Sequence, residues 1–135
     1  MLSDDLMTLF QNAALVTPGV DAFVGARAKL PDSGDGPFTV LVETPGMAPN
    51  YAHTQPQPWR NWLSVQVSVR AQDYEVALAL AQKLFALVTT PVNRTINGVF
   101  YLAIRPRQSC PFDMGLDPAR NFPKIGFNVL GQARG

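Results

Sequence analysis

A chain of 135 residues, 47% apolar and 16% charged, is long enough to bury one core without disulfides or a structural metal. Eleven Lys and Arg against ten Asp and Glu leave a formal charge of +1, without the dense basic excess on which tight duplex binding depends. One cysteine, Cys110, and one histidine, His53, exclude an intramolecular disulfide and give too few ligands for a Cys/His zinc site.

Asp4 and Asp5 follow Met1 where a secretory leader would carry cations, and no apolar run nears the roughly 18 residues of a membrane span. A soluble chain made in the cytoplasm, with no membrane partner, is expected. Ser3, Asp4 and Asp5 read as a helix start, and Leu2, Leu6, Leu9, Phe10 and Ala13 recur at helical spacing until Thr17-Pro18-Gly19, which predicts an amphipathic helix over 3–16. Its polar side carries aspartates, so the apolar stripe faces a core and not a membrane.

Residues 21–30 alternate, with Ala22, Val24, Ala26, Ala28 and Leu30 on one side, and read as a strand with one wet face. Pro31 to Pro37 is dense in turn formers, and the extended run Phe38 to Glu43 completes a hairpin with a long loop. The acidic residues of that loop lack calcium-ligand spacing. Pro45, Gly46, Pro49, Pro56 and Pro58 make 44–58 a long Pro-rich loop, an arm expected to meet a neighbouring subunit.

Trp62 to Arg70 gives the clearest alternation. Leu63, Val65, Val67 and Val69 form the buried side and Ser64, Gln66, Ser68 and Arg70 the side expected to meet water. Asp73 caps a second helix in which Ala77, Leu80, Ala81, Leu84, Leu87 and Val88 recur until Pro91. Asn93-Arg94-Thr95 matches a glycosylation acceptor but reads as a turn in a chain that is not secreted. Asn97-Gly98 is a tight-turn signal before a strand over Val99 to Arg105, and Ile125 to Leu130 supplies the last strand. The order predicts a single α+β domain over 1–135, a two-layer sandwich with a mostly antiparallel sheet and two helices packed on one face.

No glycine-rich phosphate loop, nucleophile elbow or metal-binding helix motif is present. Cys110 beside Pro111 reads as an ordinary thiol and His53 as a surface residue, so neither catalytic residues nor a cofactor is expected. Asp113 and Asp117, set among Pro111, Gly115 and Pro118, read as turn residues and not an acid/base pair. Arg105, Arg107, Arg120 and Lys124 form the one basic cluster, with Tyr101, Phe112, Phe122 and Phe127 among them. Basic and aromatic residues together suit a single-strand nucleic-acid platform, but strand aromatics more often fill a core.

The run Gly98 to Pro106 (GVFYLAIRP), then Pro111 to Arg120 (PFDMGLDPAR), then Phe122 through Val129 resembles the C-terminal region of tail terminator proteins of long-tailed phages. The upstream order of a helix, a hairpin, a long strand and a second helix is also similar. The resemblance implies a structural virion protein at the head-tail junction, working as a hexameric ring. Such a ring caps the tail tube, ends its polymerisation and joins the head connector, in a phage or a phage-derived gene transfer particle. Its partners would be further copies of itself, the major tail tube protein and the connector or stopper protein, while DNA passes through without specific binding. Ser64, Gln66, Ser68 and Arg70 would then line the channel. Tyr51, Trp59, Trp62, Arg105, Arg107, Asp113, Asp117 and Arg120 are the candidates for subunit or tube contacts. A head-completion or tail-adaptor protein of the same particle and a stand-alone ligand-binding α+β domain are the alternative readings.

Overall fold

The computed structural model describes residues 2–25, 36–44, 63–89, 94–116 and 122–133. In chain order the elements are α1 (Leu2–Asn12), β1 (Ala22–Val24), β2 (Phe38–Thr44), β3 (Leu63–Arg70), α2 (Tyr74–Thr89), β4 (Arg94–Ile96), β5 (Val99–Pro106), β6 (Phe112–Leu116) and β7 (Pro123–Ala133). The strands join one sheet in the order β1-β2-β3-β7-β5-β4, with β6 also paired to β7. Every pairing is antiparallel except β1 with β2. This is the expected α+β sandwich, with both helices on one face of a mostly antiparallel sheet.

The valines of β3 explain the layering. Antiparallel partners share a face, so Val65, Val67 and Val69 stand beside Val129, Phe127 and Ile125 of β7, and all six are buried. Ala77, Ala81, Leu84 and Val88 of α2 cover this row, and Phe85 meets Phe127 edge to face at 5.3 Å between centroids. Leu2, Leu6 and Phe10 of α1 fill the rest of the core. Leu2 packs over Gly131, where an added Cβ would stand 3.0 Å from Leu2 Cδ1.

Four local expectations change. First, α1 ends at Asn12 and not at 16, because the Leu15 amide donates to the Phe10 carbonyl and the Ala14 amide to the Gln11 carbonyl. That is a Schellman stop, with Ala14 in the left-handed region (φ 60°). Second, the strand read over 21–30 is seen only as Ala22–Val24, and it runs parallel to β2, so these two strands are not hairpin neighbours. Val24 is exposed while Ala22 is buried; the predicted common face fails at this edge position. Third, Arg94 and Thr95 lie in strand β4 and not in a turn. Fourth, Asp113 belongs to strand β6, whose Phe112 and Asp113 pair with Gly126 and Ile125. The Asn97-Gly98 turn is as predicted: both residues have positive φ (52° and 78°) between the paired Ile96 and Val99, which is the backbone of a two-residue hairpin. Of the Pro-rich loop, Thr44 closes β2 and 45–58 lie outside the described residues.

Candidate interaction surface

The sheet face turned away from the helices is built by the alternate residues of the same strands. Across it run three rows: Phe38, Arg70 and Lys124; Val40, Ser68, Gly126 and Phe112; and Val42, Gln66 and Asn128. A fourth row joins Thr44, Ser64, Leu130 and Arg105. Phe38, Val40 and Leu130 are buried yet stand apart from the helix-side core.

The row expected to meet water is only partly open. Gln66 and Arg70 are half-buried, whereas Ser64 and Ser68 are 3% and 5% exposed. Short side chains sink between longer neighbours: Ser64 Oγ accepts from Thr44 Oγ1 at 2.7 Å, and Ser68 Oγ accepts from Arg70 Nη2 at 3.3 Å. Ser64 and Ser68 are therefore corrected from wetted wall to buried hydroxyls. A Cβ on Gly126 would press against the Val67 carbonyl oxygen and stand 2.6 Å from Met114 Sδ, so β6 lies close over this part of the face.

Among the described residues the charged side chains divide between the faces. Arg70 and Lys124 are direct cross-strand partners, and Arg105 pairs with Leu130 on the same side. No carboxylate stands on these four rows. Glu43 shares the helix-side row of Val65, and Asp113 that of Ile125. Asp4, Asp5, Asp73 and Glu75 belong to α1, α2 and the latter's cap. Arg70 and Lys124 are therefore like charges directly opposed at this end of the face.

Arg105 and Arg107 are exposed at the point where β7 exchanges partner β5 for β6. The Arg107 amide donates to the Asn128 carbonyl at 2.8 Å, and the Asn128 amide donates to Gln108 Oε1 at 2.8 Å. Gln108 thus replaces a missing backbone acceptor at the junction. Asp113 is exposed and its Oδ1 accepts from the Gly115 amide at 2.8 Å, a local loop bond. Tyr51, Trp59, Trp62, Asp117 and Arg120 lie outside the described residues, as does His53. Sequence reading placed Lys124 in a basic cluster without its pairing to Arg70, and it missed Gln108 and the packing of Met114.

Two open clefts flank α2. One of about 640 Å³ is lined by Gly36, Gln72, Asp73, Tyr74, Val76 and Pro123. The other, about 380 Å³, includes Leu15, Pro37, Val76, Leu80 and Lys83. Among the described residues no three His, Cys, Asp or Glu side chains gather as a metal site, and Cys110 is exposed. No described helix is long and apolar enough to cross a membrane. Neither the models of known protein families nor the curated proteins give a match to this chain.

Proposed function

We propose that the chain is a structural ring subunit of the tail-terminator kind, capping a tail tube and joining it to a head connector while DNA passes through the ring. One observation carries this reading: among the described residues, the sheet face opposite the helices sets Arg70, Lys124 and Arg105 on its paired rows together with Gln66 and Asn128. A transit wall needs hydration and a modest attraction that does not hold phosphates in place. On this face Arg105 is exposed and Arg70, Lys124, Gln66 and Asn128 are half-buried, beside the buried Phe38, Val40, Ser64, Ser68 and Leu130, so the described contribution to such a wall comes from those five polar and cationic side chains. The sequence resemblance over 98–129 and the upstream order of a helix, a long strand and a second helix support the same reading, while the hairpin of that order is replaced by the parallel β1-β2 pair.

Ring closure needs head-to-tail contacts between two different patches of the subunit. Arg105, Arg107 and Asp113 at the partner exchange of β7 are the described residues best placed to contribute. Light scattering over a concentration series, with negative-stain imaging of the large species, tests the proposal. A closed hexameric ring with a central hole is the expected result. A species that stays monomeric or dimeric throughout, with no rings on the grid, would sink it and favour a stand-alone domain.

A further inference from the structure

Helix α2 turns apolar as well as polar side chains outward. Its sequence is YEVALALAQKLFALVT, in which Glu75 and Lys83 are the only charged residues. A surface helix normally keeps its solvent side charged and polar. The sheet covers Ala77, Ala81, Leu84 and Val88, but Tyr74, Val76, Ala79 and Ala86 are exposed beside Glu75, Gln82, Lys83 and Thr89. Val76, itself 43% exposed, stands where the two clefts meet.

The charges are symmetrically placed. Glu75, Ala79 and Lys83 follow one another at four-residue steps, hence on one stripe, and all three are exposed. Glu75 and Lys83 stand about 12 Å apart along the axis, too far to pair with each other. A two-fold axis through Ala79 would lay the helix antiparallel on its own copy. It would set each Glu75 against the other copy's Lys83, each Val76 against Gln82 and each Gln72 against Ala86, with the small Ala79 side chains at the crossing.

We infer that the outer face of α2 is a self-association surface whose occupant is α2 of a second copy, antiparallel and centred on Ala79. The charge pattern selects this occupant because it is self-complementary only in that orientation. The contact is isologous, whereas ring closure is heterologous. It therefore stands independently of the ring and would join two rings, or two free subunits, back to back.

Sedimentation analysis at low ionic strength tests it with Glu75→Lys, Lys83→Glu, their equimolar mixture and the double variant, circular dichroism confirming that each is folded. Each single reversal turns two attractive contacts into like-charge ones and should weaken the α2-mediated association about tenfold or more. The mixture and the double variant restore opposite-charge pairing and should recover the wild-type value. Wild-type protein with no self-association, or single reversals without effect, overturns the inference. So does loss of association that neither mixture nor double variant rescues. A hexameric mass unchanged in all variants would uphold the ring and reject this contact.

Discussion

Tyr101 and Asp5 are far apart in sequence and meet inside the fold, where the phenol donates to Asp5 Oδ2. Asn97 Nδ2 donates to Asp5 Oδ1 at 3.0 Å and approaches Thr8 Oγ1 at 2.9 Å, so the β4-β5 hairpin is clasped to α1 through one carboxylate. Asp5 is 3% exposed and Tyr101 1%, and a buried acceptor that loses its donor cannot recover it from water. Tyr101→Phe should therefore lower the unfolding free energy by about 1–3 kcal/mol, read as a lower urea midpoint at constant m-value. Combined with Asn97→Ala, the two losses should be non-additive because they share Asp5; strict additivity would show that the clasp is not one unit. Ala14 offers the opposite sign. It holds a left-handed conformation at the Schellman stop of α1, where glycine has no Cβ penalty, so Ala14→Gly should stabilise the protein by about 0.5–1 kcal/mol. An unchanged or lower midpoint would refute that.

At the scale of elements, β7 is the strand on which the sheet depends, since β3 flanks one of its edges while β5 and β6 divide the other. Gly126 sits where β3 and β6 both press on it, and Gly126→Ala should cost about 1–3 kcal/mol by forcing Met114 or the Val67 backbone to shift. Val42→Ala on β2, on the same face but away from that crowding, is the control and should cost less. The elements that announce themselves in the sequence are those with many repeats of one period. β3 shows alternation over eight residues and α2 a 3.6-residue pattern over sixteen. Strands β4 and β6 have too few residues for a period to emerge, and Asp113 and Gly115 give β6 a turn-like composition. The parallel partnership of β1 leaves no local trace, because strand direction is set by long-range packing and not by the residues of the strand. The end of α1 was hidden by Ala13 and Ala14, whose high helix propensity conceals a stop made by hydrogen bonds. Alternation revealed which β3 residues share a face. It did not reveal that Ser64 and Ser68 are buried, since that depends on neighbours distant in sequence.

For the whole molecule, the consequence of the layering is electrostatic. Among the described residues, Asp4, Asp5, Asp73 and Glu75 belong to the helices and the cap of α2, while Arg70, Lys124 and Arg105 stand on the opposite sheet face. If that face meets DNA in transit, the attraction should be weak, independent of sequence and strongly dependent on salt, falling with a log–log slope of about −0.9 for each phosphate neutralised. Binding of duplex oligonucleotides, followed by fluorescence anisotropy at low and then rising salt, measures this slope. Lys124→Gln and Arg105→Gln should each reduce its magnitude by about one and leave oligonucleotides of different sequence equally affected. The exposed Lys83, on the helix side, should leave the slope unaltered when replaced by Gln. Equal effects from Lys83 and Lys124 would mean that DNA responds to total charge and not to this face. The channel assignment would then lose its footing even if the ring itself were found, because the cations of this face are what tie these strands to the passage of a polyanion.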